Sequence, residues 1–128
     1  MSLREVAKGR VRKDEKGRSR RWFQGDDADL FIWVDGDGDI IRCQLTYGNL
    51  RGRGTWTVDW DVRHGVRTGE VNSGRMMVDM EDIINFFTQP SPELIGKAIS
   101  IVDGSEIDPE VKKHFLGQMA KYVESETK

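Results

Sequence analysis

The residues whose side chains could do chemistry are few and scattered. Asp35, Asp37 and Asp39 alternate with glycines, as the acidic ligands of a calcium-binding loop do. An EF-hand loop beginning at Asp35 would need a glutamate at its twelfth position, where the chain has Thr46, and it would need flanking helices. The sequence therefore favours a hairpin turn over a metal site, and we predict neither a bound metal nor another cofactor.

Histidine and cysteine side chains form no catalytic pattern. His64 and His114 are the only histidines, and neither has a partner at the spacing of metal ligands. Cys43 is the only cysteine, and strand alternation places it on an apolar face, where a thiol is normally inert. We therefore expect a binding protein rather than an enzyme. An enzyme is the weaker alternative, and it would have to gather dispersed carboxylates: Asp29, Asp59 and Asp61.

The strongest local signal is a β-hairpin. Residues 29–35 and 40–47 are rich in β-branched and aromatic side chains, and the Asp37-Gly38 pair between them suits a tight turn. A two-residue loop would place one apolar set on a single face of the hairpin, which we predict to be core: Leu30, Ile32, Val34, Ile41, Cys43 and Leu45.

The opposite face of this hairpin is the candidate binding surface. Phe31 and Trp33 fall there, with Arg42 and Gln44 as cross-strand neighbours. Arg42 could stack on Trp33 or pair with an anion, and Trp22 lies just upstream. We predict a contact surface for a protein partner, a second copy of the chain or a ligand, unless other parts of the chain cover it.

The rest of the chain predicts more strands and then helices. In residues 55–61 the apolar side chains alternate with Thr and Asp, as in a strand with one buried and one wet face. Weaker strands follow at 66–71 and 76–80, and a short helix at 81–87. The starts Ser91-Pro92-Glu93 and Asp108-Pro109-Glu110 introduce further helices. We predict an α+β fold, an antiparallel meander of four to five strands followed by two to three C-terminal helices packed on one face.

Length and charge suggest one domain with a basic arm. The chain has 128 residues and a formal net charge of −2. Residues 1–21 carry nine basic and three acidic side chains, and the rest is acidic. We predict a basic N-terminal arm over 1–19, which could bind nucleic acid or fold back, and a single domain over 20–128. No apolar run is long enough to span a membrane, and the lone cysteine favours a cytoplasmic location.

The motifs around the hairpin resemble a known family. Arg20-Arg21-Trp22-Phe23, residues 29–35 and Gln44-Leu45-Thr46-Tyr47 are similar to the RRWF…DLxVWxD…QLxY pattern of a family of short bacterial proteins. Thr55-Trp56 and residues 107–110 also resemble it. The resemblance runs from Arg20 onward and leaves out the basic stretch. It implies a bacterial origin and one domain, but no catalytic residues, because no activity is established for the family.

Overall fold

The computed structural model describes residues 3–6, 19–25, 28–48, 55–71 and 84–126, the side chains of 123–126 excepted. These residues form one sheet in which each strand pairs antiparallel with the next along the chain. The strands are β1 (Arg4–Glu5), β2 (Ser19–Gln24), β3 (Ala28–Val34), β4 (Ile40–Gly48), β5 (Thr55–Asp61), β6 (Gly65–Val71) and β7 (Ile84–Phe86). Helices α1 (Pro92–Asp103) and α2 (Pro109–Glu126) follow.

The predicted class, α+β with an antiparallel sheet and C-terminal helices, is confirmed, but the element counts are not. The described residues form seven strands and two helices. Strand β7 occupies 84–86, where the sequence predicted part of a helix, because its residues pair with the edge of β6. The predicted strand at 76–80 lies outside the described residues.

The β3–β4 hairpin has the predicted register over most of its length. Leu30 pairs with Leu45 and Ile32 with Cys43, but the register shifts after Trp33, so that Val34 pairs with Ile40. The connection is longer than the two-residue loop that we predicted, since the Asp35 amide donates to the Asp39 carbonyl oxygen at 2.9 Å. Gly38 has a φ of 90°, which L side chains rarely adopt, and it allows the chain to reverse there.

One face of the sheet and the two helices form the hydrophobic core. Leu30, Ile32, Cys43, Leu45 and Val58 are fully buried from the sheet side. From the helix side, residues at helical spacing are buried: Ile95, Ala98, Val102, Val111, Phe115 and Met119. The helices therefore cover the face that alternation assigned to the core.

Helix α1 begins as the sequence predicted. The Ser91 hydroxyl accepts a hydrogen bond from the Leu94 amide at 3.3 Å, and Pro92 occupies the first helical turn. The Tyr47 hydroxyl on β4 donates to the Leu94 carbonyl oxygen at 2.9 Å. The cap and this bond fix where the helix starts relative to the sheet.

Residues 4 and 5, near the start of the chain, belong to the sheet as β1. Leu3 is 1% exposed, and its amide donates to the Ser105 hydroxyl at 3.0 Å. Glu5 accepts two hydrogen bonds from the Arg21 guanidinium on β2, at 2.7 and 2.8 Å. Residues 7–18, which carry most of the basic side chains of the predicted arm, lie outside the described residues. No helix in the described part of the chain is both long and apolar enough to cross a membrane.

His114 on α2 predicts a pH dependence of stability. Its ring packs edge-on against Trp60, with centroids 4.7 Å apart. Burial lowers the pKa of His114, and the charge of Lys121 lowers it further. Between this lowered pKa and the ordinary value, the unfolded chain binds a proton that the folded chain does not. We therefore expect the free energy of unfolding to fall as the pH drops below about 6.5.

Urea unfolding measured from about pH 7.5 down to about pH 5 tests this expectation. The His114→Asn variant, whose side chain does not titrate, should lose less stability than the wild-type protein over that interval. Parallel losses in the two proteins would contradict the assignment to His114.

Candidate functional site on the second face of the sheet

The second face of the sheet carries the strand residues that alternate with the core positions. Trp22 on β2 pairs with Phe31 on β3, and Trp33 lies two residues further along β3. The Trp22 and Phe31 rings stack with centroids 5.8 Å apart and an interplanar angle of 13°. The Phe31 and Trp33 centroids are 6.1 Å apart. We call Trp22, Phe31 and Trp33 the aromatic row.

Arginines lie over two rings of the aromatic row. The Arg20 guanidinium carbon is 5.0 Å from the Phe31 ring centroid, and that of Arg42 is 4.7 Å from the Trp33 centroid. Such contacts attract a cation to the negative face of a ring. Of the two contacts that the sequence allowed for Arg42, stacking on Trp33 and pairing with an anion, the structure shows both, the anion being Asp59.

The aromatic row keeps part of its surface in contact with solvent. Trp22 is 37% exposed, and Phe31 and Trp33 are half-buried. The Trp22 indole Nε1 donates to the Asp29 carboxylate at 2.9 Å, which fixes the orientation of the ring. The rings are therefore held in place and remain partly exposed to solvent.

Next to the aromatic row lies a buried polar cluster, consisting of Arg42, Gln44, Asp59 and Arg67. The Asp59 carboxylate is 0% exposed. Its Oδ2 accepts hydrogen bonds from Arg42 Nη2 at 2.7 Å and from Gln44 Nε2 at 3.2 Å. Its Oδ1 lies 3.6 Å from Arg67 Nη2, within ion-pair distance. One carboxylate thus lies between two guanidinium groups.

This cluster corrects the prediction of a wet face on β5. Alternation placed Thr57 and Asp59 toward solvent, yet both are fully buried. Arg42 and Arg67 come from the neighbouring strands β4 and β6, and their long side chains pair with Asp59 from both sides. A sequence pattern shows only that the residues are polar, and it cannot show that a sheet neighbour pairs with them.

Burial and pairing act in opposite directions on Asp59. Burial raises the pKa of the Asp59 carboxyl, whereas the hydrogen bond and charge of Arg42 and the charge of Arg67 lower it, and burial prevails. Some buried polar atoms on this face have no hydrogen-bond partner among the described residues: Gln44 Oε1, Thr46 Oγ1, Asp59 Oδ1 and Arg67 Nε. The charge pairs of the cluster therefore offset only part of the cost of burying the Asp59 carboxylate and these polar atoms.

Beyond the cluster, Asp61 holds the turn between β5 and β6. Burial would raise the pKa of Asp61, but hydrogen bonds from the His64 side chain and from the amides of His64 and Arg63 outweigh burial and lower it. His64 Nδ1 lies 3.0 Å from Asp61 Oδ2. The carboxylate therefore accepts hydrogen bonds from its own turn, and its Oδ2 also accepts one from Arg67 Nη2 at 3.3 Å, which connects it to the buried polar cluster.

The proposed enzyme carboxylates are all engaged in contacts with neighbouring side chains, and Arg67 Nη2 lies between Asp59 Oδ1 and Asp61 Oδ2, at 3.6 and 3.3 Å. Asp29 accepts from Trp22, Asp59 pairs with Arg42, and Asp61 accepts from the His64 turn. In the described part of the chain, no group of histidine, cysteine, aspartate and glutamate side chains is arranged to hold a metal ion. Cys43 lies in the core, and burial raises the pKa of its thiol.

The five residues that the sequence selected divide between the two parts of this face. Trp22, Phe31, Trp33 and Arg42 lie together, as expected. Gln44 is 1% exposed and is therefore not on the accessible surface, whereas Arg42 contacts both the aromatic row and the buried polar cluster. The sequence analysis missed Arg20 and Arg67, and it named Asp59 only as a possible enzyme carboxylate. Alternation along β2 from Trp22 could have identified Arg20, since residues two apart in a strand share a face.

Comparisons with protein-family models, with curated proteins and with solved structures gave no match, so the geometry of this face is the basis for the functional proposal.

Proposed function

We propose that the protein is a non-catalytic binding module whose contact surface is the aromatic row with Arg20 and Arg42. The observation that carries this proposal is the row itself. Aromatic rings from two adjacent strands stack on the face opposite the core and stay partly exposed. Rigid, partly exposed aromatic side chains provide much contact area at a low cost in conformational entropy.

Hydrogen bonds that fix the side chains of this surface favour binding. Arg42 is held by Asp59 through hydrogen bonds from both Nε and Nη2, at 3.1 and 2.7 Å, while its guanidinium lies over Trp33. Trp22 is held by Asp29. A binding site whose side chains are already fixed loses less entropy when its partner arrives.

Native mass spectrometry of protein purified under mild conditions tests the proposal. We expect a bound mass, or a dimer mass, in the wild-type protein and its loss in the Trp22→Ala variant. Trp22→Phe keeps a ring at the same position and should retain part of the binding. Glu106→Gln, an exposed position between the two helices, serves as the matched surface control.

A wild-type protein that is a bare monomer and that binds no added partner through Trp22 would contradict the proposed function. A bound or dimer mass that persisted in Trp22→Ala would contradict it as well. Circular dichroism spectra of all variants would show whether a loss of binding comes from a loss of folding.

A further inference from the structure

We infer that the partner of the aromatic row is single-stranded nucleic acid. This inference depends on the proposed binding function and names the chemical class of the ligand. Single strands are bound without sequence preference by aromatic side chains that stack on bases and by cations that contact phosphates. The accessible part of the second face combines both kinds of group.

The rings provide the stacking part of the site. Trp22 stacks on Phe31 on one side and, at 37% exposure, still presents indole surface to solvent. Every nucleobase has a flat π face, so a base can extend the existing Trp22–Phe31 stack by one layer. In a duplex the base faces are already stacked on one another, so the row should discriminate against double-stranded nucleic acid.

Arg20 provides the cationic part. It is exposed, and its guanidinium lies over the Phe31 ring. A guanidinium stacked on a ring donates its N–H groups within its own plane, where a phosphate can accept them. Arg42 differs, because Asp59 already accepts hydrogen bonds from it. We therefore assign the phosphate contact to Arg20 and a positioning role to Arg42.

The charge of the chain next to β2 favours a polyanion over a neutral ligand. Strand β2 contains no acidic residue and contributes Arg20 to this face, whereas Arg21 on the other face is paired with Glu5 and Asp108. In the sequence, residues 8–18 directly precede this strand and contain six basic and two acidic side chains. Positive charge of this kind raises the rate at which a polyanion arrives. A neutral glycan, which could also stack on aromatic rings, would gain nothing from it.

The β3–β4 turn carries acidic side chains, whose effect on a bound polyanion should be opposite to that of the arginines. Ser19 at the start of β2 pairs with Val34, so the turn lies at the Arg20 end of the row. Asp37 and Asp39 in this turn are exposed. Their carboxylates should repel a phosphate chain bound along the row. Removing these two charges should therefore tighten the binding of a nucleic acid and leave that of a neutral partner unchanged.

Fluorescence anisotropy with a labelled oligothymidylate of about sixteen nucleotides tests the inference on the full-length protein. We expect Trp22→Ala to weaken binding about tenfold or more, with Trp22→Phe in between. Arg20→Ala should weaken binding and reduce the slope of log K against log salt by about one, whereas Arg20→Lys should keep that slope. The Asp37→Asn/Asp39→Asn variant should bind about twofold tighter or better at low salt.

Several outcomes would overturn the inference. They are an absence of binding by the wild-type protein, equal affinity for a duplex of the same length, and equal affinities of Trp22→Ala and the wild-type protein. If Trp22→Ala loses a bound mass in native mass spectrometry but the wild-type protein does not bind the oligonucleotide, the nucleic-acid inference fails and the proposed binding function stands. If the wild-type protein shows no bound or dimer mass and does not bind the oligonucleotide, the nucleic-acid inference and the proposed binding function both fail.

Discussion

The Asp59→Ala variant is expected to lower the free energy of unfolding by about 3–5 kcal/mol. Asp59 is fully buried and pairs with Arg42 at 2.7 Å and with Arg67 at 3.6 Å. Without the carboxylate, Arg42 loses this counter-charge within the sheet, while Arg67 keeps its ion pair with Asp61 Oδ2 at 3.3 Å. Urea unfolding followed by tryptophan fluorescence measures the loss, because the midpoint falls in proportion to stability.

Two comparisons separate the charge from the volume of the side chain. Asp59→Asn keeps the shape and an acceptor for Gln44 but removes the charge, so its stability should lie between those of the wild-type protein and Asp59→Ala. Glu70→Ala removes an exposed carboxylate from the adjacent strand β6 and should change stability by no more than about 0.5 kcal/mol. Equal effects of Asp59→Ala and Glu70→Ala would show that the buried polar cluster does not stabilise the sheet.

Replacing Asp59 should also change the environment of Trp33 in the aromatic row. Because Asp59 accepts hydrogen bonds from Arg42 Nε and Nη2, it holds that guanidinium over Trp33. The tryptophan emission of folded Asp59→Asn should therefore differ from that of the wild-type protein. This link makes the buried cluster part of the support of the proposed site.

The Phe115→Ala variant is expected to cost about 3–5 kcal/mol of stability. Phe115 is 0% exposed and belongs to the stripe by which α2 packs on the sheet core. Its truncation removes buried ring surface and leaves a cavity between the helix and the sheet. Since domains of this size are stable by roughly 5–15 kcal/mol, the variant should unfold at a much lower urea concentration.

The neighbouring residue on α2 is the matched control. Leu116 is only partly buried at the edge of the same core, so Leu116→Ala should cost clearly less than Phe115→Ala. If both truncations cost the same, the packing of α2 would not depend on the Phe115 stripe, and the register of this helix on the sheet would need to be revised.

The sequence was most informative where local patterns decide the structure. The Ser91-Pro92 start of α1, the Val111–Phe115–Met119 stripe and the pairing of Leu30 with Leu45 all follow from capping chemistry or from the periods of helices and strands. Each of these signals lies within one element or one tight hairpin, so no distant contact is needed to interpret it.

The sequence was misleading where the decisive contact is between strands. Residues 84–86 carry apolar side chains that also suit a helix, and only the free edge of β6 makes them a strand. The alternation along β5 predicts that Asp59 is exposed to solvent. Its burial is possible only because Arg42 and Arg67 on the two neighbouring strands pair with its carboxylate. Propensity and alternation contain no information about which side chains meet across a sheet.

For the candidate site, the sequence by itself determined that Phe31 and Trp33 share a face with Arg42, because a strand has a period of two. The tertiary structure decided the rest. The pairing of β2 with β3 places Arg20 and Trp22 beside these residues. The ion pair with Asp59 occupies the guanidinium of Arg42. The tertiary structure also left the row partly exposed, because the apolar helix stripes packed against the more apolar face of the sheet, where burial removes more hydrocarbon surface from water.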